Sequence, residues 1–186
     1  MIYVFEGLPG AGKKSIISRL SEMLRNRNPI ILPEYLPQSY GDRTDISFYV
    51  NNEKNKSKIM GEIRNQICLC DRYWYSSAVY CSASSNAYTV NEIMQIYKIL
   101  HKENIFEKYI YIYLKVSKEV SIERAQIPDV TNMWSTPSFC SRAYDLYETI
   151  FNNLNEITQN VVDKMVIDIE KNSVNDICTE LFKYIY

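Results

Sequence analysis

Residues 7–15 read Gly7-Leu8-Pro9-Gly10-Ala11-Gly12-Lys13-Lys14-Ser15, and the rest of the chain is ordered around them. The short apolar run 2–6 (IYVFE) stands before them. After them Ile16, Ile17, Leu20, Met23 and Leu24 fall at the spacing of one helix face. A strand, a glycine-rich turn and a helix in that order suit a phosphate. Glycines let the backbone curl tightly and turn successive N–H groups inward. The helix start adds its free N–H groups and the positive end of its dipole. The pattern G-x-x-x-x-G-K is complete from Gly7 to Lys13, and its lysine places a cation on the β/γ-phosphates. A hydroxyl that holds Mg²⁺ usually comes next; here that position is Lys14, and Ser15 follows it.

Four more runs read as strands: 29–33 (PIILP), 66–70 (QICLC), 109–116 (YIYIYLKV) and 161–169 (VVDKMVIDI). Helical stripes lie between and after them. One holds Ile93, Ile96, Tyr97 and Leu100, a second Leu146, Ile150, Leu154 and Ile157, and a third Val174, Ile177, Leu181 and Ile185. Strand and helix alternate, so the expected fold is α/β, a five-stranded parallel sheet flanked by helices. Ligands of such a sheet sit at the carboxyl ends of its strands. The third strand leads into Asp71-Arg72-Tyr73, then Trp74-Tyr75-Ser76-Ser77-Ala78-Val79-Tyr80. An acid there lies near the phosphate loop and can hold Mg²⁺ through water or anchor the arginine. The planar fork of Arg72 matches a phosphate.

The 186 residues make one domain, 1–186. A net charge of −1 argues against a general nucleic-acid binder. No apolar run is long enough to span a membrane, and MIYVFEG has no basic start before its apolar stretch, so a cytoplasmic protein is expected. Five cysteines form no C-x-x-C pair and the single His101 has no metal-binding company, which reads as free thiols. The 16 tyrosines read as compositional bias.

Phe5-Glu6-Gly7-Leu8 through Ser15, with Asp71-Arg72-Tyr73-x-x-Ser76 and then Tyr80, resembles the thymidylate (dTMP) kinase family of P-loop nucleoside monophosphate kinases. Leu114-x-Val116 with Glu119 and Arg124 resembles that family's entry into its lid, and Phe139 and Tyr147 the helix after it. The resemblance implies transfer of a γ-phosphoryl group from ATP to dTMP, with Mg²⁺ as cofactor, in a homodimer. It places Lys13, Asp71 and Arg72 at the chemistry. Gly7, Pro9, Gly10, Ala11, Gly12, Lys13, Lys14, Ser15 and Arg124 would hold ATP. Glu34, Arg72, Tyr73, Ser76 and Tyr80 would hold the acceptor, and Phe48 or Tyr49 would stack on its base. Lys54 or Lys58 would be the basic residue of that helix. Loops of the form G-K-G-[ST] in adenylate-kinase-like enzymes carry their hydroxyl where Ser15 stands, so Ser15 and Asp71 are the expected Mg²⁺ contacts.

The chain departs from the family pattern in three places. Pro9 replaces a loop acid, Ala11 stands where some members have a basic residue, and the expected lid, about 125–138, holds no Arg or Lys. Lys14, Arg124 and Arg142 are candidate replacements for the missing charge, and Arg43 for an arginine missing after Glu34. Two alternatives accompany the dTMP kinase reading. A deoxynucleoside kinase would use Glu34 as the base at an acceptor hydroxyl. A nucleotide-binding regulatory module would have lost catalysis.

Overall fold

The computed structural model describes residues 1–39, 45–63, 66–84, 89, 91–92, 95, 108–124, 136–153 and 161–186. Five strands form one sheet: β1 (Ile2–Glu6), β2 (Ile30–Leu32), β3 (Cys68–Asp71), β4 (Tyr109–Lys115) and β5 (Val161–Asp168). Their order is β2-β3-β1-β4-β5 and every pairing is parallel. Six helices are defined among the described residues: α1 (Lys13–Met23), α2 (Ile46–Glu62), α3 (Trp74–Ser84), α4 (Lys118–Arg124), α5 (Pro137–Asn152) and α6 (Val174–Ile185). This is the expected α/β architecture. The second strand is shorter than expected, and the third starts at Cys68 and runs on through Asp71.

The central strands are buried on both faces, as a parallel sheet covered by helices requires. Val4, Phe5, Leu69, Ile112 and Leu114 have no exposed surface. The tyrosines are more than a compositional bias, because many of them are core. Tyr73, Tyr75, Tyr109, Tyr111 and Tyr147 are at most 1% exposed. Alternation puts Tyr109, Tyr111 and Tyr113 on one face of β4. Helix α3 is buried along almost its whole length, and a helix buried all round shows no stripe. In α6 the apolar stripe and a reciprocal Ser173–Asp176 capping box agree.

Register brings two loops together. Phe5 pairs with Asp71 across β1 and β3, so the turn after Glu6 and the turn after Asp71 start side by side at the sheet's carboxyl edge. The stripe residues Ile93, Ile96, Tyr97 and Leu100, residues 154–160 of the next one, His101, Arg43 and residues 125–135 of the expected lid lie outside the described residues. The end of that lid is described: Thr136 precedes α5 and Pro137 is its first residue.

Candidate active site

Helix α1 starts on a glycine. Gly12 sits at its N-cap in a left-handed conformation, φ +76°, and no side chain caps the helix. The N–H groups of the first turn are thus left open to an anion. Lys13 is not solvent-facing as the loop position suggests; it is 7% exposed. Its Nζ donates to the carbonyls of Gly7 at 2.8 Å and Leu8 at 2.9 Å. Burial, aided by the Arg72 charge, brings its ammonium down to about 7. Helix α4 closes the other side of the loop: Ser121 Oγ donates to Pro9 O at 2.8 Å and Arg124 Nη1 to Gly10 O at 3.2 Å. Lys14 and Ser15 are exposed on the first turn of α1, and Ala11 is buried.

Arg72 is the hub of the second half. Its φ of +60° is left-handed, which costs a non-glycine residue about 1–3 kcal/mol and persists only where its surroundings hold it. Its backbone N–H donates to Phe5 O at 3.0 Å. The guanidinium is buried. Nη1 donates to Gly7 O at 2.7 Å, Tyr147 Oη at 2.8 Å and Ser76 Oγ at 3.0 Å. Nε lies 3.1 Å from Glu34 Oε1, an ion contact out of line for a hydrogen bond. The Tyr80 ring lies under the cation, 5.2 Å away. Burial pushes the Glu34 carboxyl up, but Arg72 with Lys13 outweighs that and holds it below its ordinary value.

Glu6, two residues before Pro9's neighbour Leu8, organises the turn from below. Its Oε1 accepts from Tyr73 N at 2.9 Å, and its Oε2 accepts from the Ser76 hydroxyl. Burial raises its carboxyl to about 7. Asp71 is buried, and its Oδ1 has no partner among the described residues. Asp71, Glu34, Tyr35, Pro33 and Lys14 share the walls of a cavity of about 620 Å³. A second cleft of about 700 Å³, beside Arg19, Glu22 and Arg25, contains none of these residues.

The structure brings together Gly7, Lys13, Glu34, Asp71, Arg72, Ser76, Tyr80 and Tyr147. Tyr73 meets Glu6 through its N–H and Ser57 through its hydroxyl, the two oxygens 2.6 Å apart. Phe48 and Tyr49, expected on the acceptor's base, are 3% and 4% exposed. They pack on each other and on Tyr35, with centroids 5.3–6.4 Å apart. Lys54 and Lys58 are exposed, whereas Lys56 between them is buried. The sequence reading missed Lys56, Asn52 and Glu6. For Lys56 the missed signal is the four-residue spacing 48, 52, 56, 60.

The fold and the site can now be set beside known proteins. No family model matches the chain. The thymidylate kinase of Desulfotalea psychrophila is 28% identical over 113 residues, which cover 50% of this chain and 55% of that protein. The chain thus spans about half the length of the curated relative it matches. Deoxyadenosine kinase from M. mycoides with bound dATP superposes with a TM-score of 0.70 at 17% identity, covering 100% of both chains. The same kinase with the products dCMP and dCDP gives 0.68 at 18%, covering 100% of this chain and 98% of that one. YorR protein from Bacillus subtilis, in complex with phosphorylated GDP, gives 0.65 at 15%, covering 100% and 95%. Sheet order, phosphate loop and these likenesses give the chain the fold of the P-loop nucleoside and nucleotide kinases. The resemblance read from its motifs has its support at that level.

Proposed function

We propose that the protein is a P-loop phosphotransferase that moves the γ-phosphoryl group of ATP to a pyrimidine deoxynucleoside monophosphate, dTMP first. One observation carries the choice of a phosphate-bearing acceptor. Arg72 spends Nη1 on protein oxygens and sets Nε against Glu34, while Nη2 makes no hydrogen bond among the described residues. A buried, rigidly held guanidinium with donors to spare is matched by an oxyanion. The Asp71-Arg72-Tyr73-x-x-Ser76 run and the thymidylate kinase relative support the same acceptor.

In this reading the loop N–H groups and Lys13 hold the donor's phosphates, and Arg124 neighbours them through Gly10. Arg72 holds the acceptor's phosphate beside the loop, with Glu34, Tyr73, Ser76 and Tyr80 around it. Little covalent chemistry is asked of the protein; alignment and charge neutralisation carry the rate. Among the described residues no cluster of three or more acids, histidines or cysteines could hold a metal by itself. Mg²⁺ keeps few protein ligands and takes the rest from phosphates and water. The Asp71 carboxylate, whose Oδ1 has no partner among the described residues, fits that donor set with Ser15 on α1, and the ion would neutralise charge between the β- and γ-phosphates. A homodimer and a cytoplasmic location go with this reading.

One observation favours a second reading. Glu34 faces the same cavity and is held ionised, as a base at an acceptor's 5′-hydroxyl must be. The protein would then be a deoxynucleoside kinase. Acceptor-dependent ADP release, measured as kcat/KM for dTMP, thymidine, deoxycytidine and deoxyadenosine, separates the two. The proposal expects dTMP to exceed thymidine at least tenfold. A nucleoside outperforming dTMP overturns it, and release that depends on no acceptor favours a non-catalytic module.

A further inference from the structure

The buried face of α2 is apolar at its ends, at Phe48, Tyr49 and Met60, and polar in its middle. Asn52, Glu53, Lys56 and Ser57 all lie inside the protein, and four-residue spacing puts them on one side of the helix. Buried polar groups are costly unless they are hydrogen-bonded, so what each of them binds is informative. Lys56 Nζ donates to Asp71 O at 3.0 Å and to Arg72 O at 2.7 Å. Asn52 Nδ2 donates to Glu34 O at 3.0 Å, while its Oδ1 accepts from Leu36 N at 3.0 Å and Ser39 Oγ at 2.7 Å.

We infer that Asn52 and Lys56 are positioning residues: one helical turn apart on α2, they fix the backbones of Glu34 and Arg72 and so set the geometry in which Arg72 meets its anionic ligand. The inference rests on the reading of Arg72 as the anchor of the acceptor's phosphate.

The β3 ladder ends at Asp71, and the left-handed turn at Arg72 swings two carbonyls out of the sheet. Carbonyls that leave a ladder need new donors. Lys56 supplies both, and the Cys70 thiol adds a contact to Arg72 O at 3.0 Å. Arg72 is thereby gripped at its N–H by β1 and at its carbonyl by α2. With both ends of the residue fixed, its Cα–Cβ bond is aimed, and the Gly7, Ser76 and Tyr147 oxygens set the rest of the side chain. Glu34 is held the same way, through its carbonyl, by Asn52. The described donors of Lys56 go to main-chain oxygens, and among the described residues it makes no ion pair within 4.0 Å. Burial works against its charge, but the Cys70 thiol, Glu53, Asp71 and Glu6 around it outweigh that and keep it an ammonium.

The test compares Lys56→Met and Asn52→Leu with Ser77→Ala, which removes a buried hydrogen bond to Glu53 of the same helix and leaves the bonds to the Glu34 and Arg72 carbonyls in place. Calorimetry gives the affinities for ATP and for dTMP separately. Both test variants are expected to weaken dTMP tenfold or more and to leave ATP within twofold; Ser77→Ala is expected to change neither beyond twofold. Equal losses for both ligands, or no loss, overturn the inference. A second readout needs no ligand: the Arg72 Nε–H resonance, identified by its absence from Arg72→Lys. It should shift or broaden in the two test variants and stay put in Ser77→Ala; an unmoved resonance in the test variants overturns the inference. If dTMP fails to bind the parent protein, the functional reading fails, and the resonance alone decides the positioning role. Should Lys56→Met fail to fold, Asn52→Leu carries both readouts.

Discussion

Tyr147 stacks on Tyr113, with ring centroids 5.9 Å apart and planes 8° from parallel, and this seats on α5 the hydroxyl that accepts from Arg72 at 2.8 Å. Strand β4 therefore supports the guanidinium from a third direction, besides β1 and α2. Tyr75 adds a hydrogen bond to the Tyr147 carbonyl and an edge contact to its ring. Arg72 is held by the core itself.

Tyr147→Phe keeps the stack and removes only the hydroxyl. One Nη1 acceptor is lost inside the protein, which costs about 1–3 kcal/mol. The expected result is a five- to hundredfold rise in KM for dTMP, with KM for ATP within twofold. Steady-state kinetics with each substrate varied in turn checks it.

Glu34→Gln separates acceptors by their chemistry. A base at a hydroxyl contributes about 10²–10⁴-fold, whereas an acceptor that arrives as a phosphate dianion needs none. Loss of kcat with dTMP is therefore expected to stay below tenfold. Measuring the same variant with thymidine, if thymidine is used at all, should show the larger loss.

Lys13 gives a pH signature. Unliganded, its ammonium is brought down to about 7, and a phosphate beside it restores the charge. ATP binding above pH 7 should then take up close to one proton, and affinity should fall with rising pH by up to about tenfold per unit, since one pKa unit is 1.36 kcal/mol. Calorimetry at pH 8 in two buffers of different ionisation enthalpy reads the uptake, and Lys13→Met should abolish it. The sign for stability differs between the two buried groups. The folded state holds fewer protons on Lys13 than the unfolded chain between pH 7 and about 10.4, so that contribution grows as pH rises through the window. Glu6, raised to about 7, holds more protons when folded between about 4.3 and 7, so its contribution shrinks as pH rises. Urea unfolding of the ligand-free protein should show a stability minimum near pH 7.

The loop glycines should not tolerate alanine equally. Gly10 and Gly12 both have positive φ, +75° and +76°. A Cβ on Gly10 would lie 2.7 Å from Arg124 Cβ, while one on Gly12 meets nothing within 4 Å. Gly12→Ala is expected to cost the backbone strain alone, about 1–2 kcal/mol. Gly10→Ala must also push α4 off the loop, and it should lose more thermal stability and more ATP affinity. Melting curves with and without ATP rank the two.

Much of this was legible in the chain. Strands β1 and β4 announce themselves by their apolar runs, and the phosphate loop by its glycines and Lys13. Asp71 and Arg72 were placed correctly beside the loop because a parallel sheet carries its ligands at the strand ends. Helix α2 was the hard element. A search for apolar stripes takes Asn52, Lys56 and Ser57 for solvated residues, because nothing local says that they serve backbones at positions 34 and 71–72. The burial of Lys13 was not legible for a related reason: Arg72, Asp71 and Glu34, whose charges act on it, are distant in sequence. The hydroxyl of Tyr147 reaches Arg72 across 75 residues, and only the fold makes that contact visible.

The central claim is that a phosphoryl group passes from ATP to an acceptor that already bears a phosphate. The most direct measurement offers the protein γ-labelled ATP, Mg²⁺, dTMP and thymidine in one mixture and separates the labelled products. The account predicts label in dTDP, with little in dTMP. Label accumulating in dTMP, or only in inorganic phosphate, would contradict it.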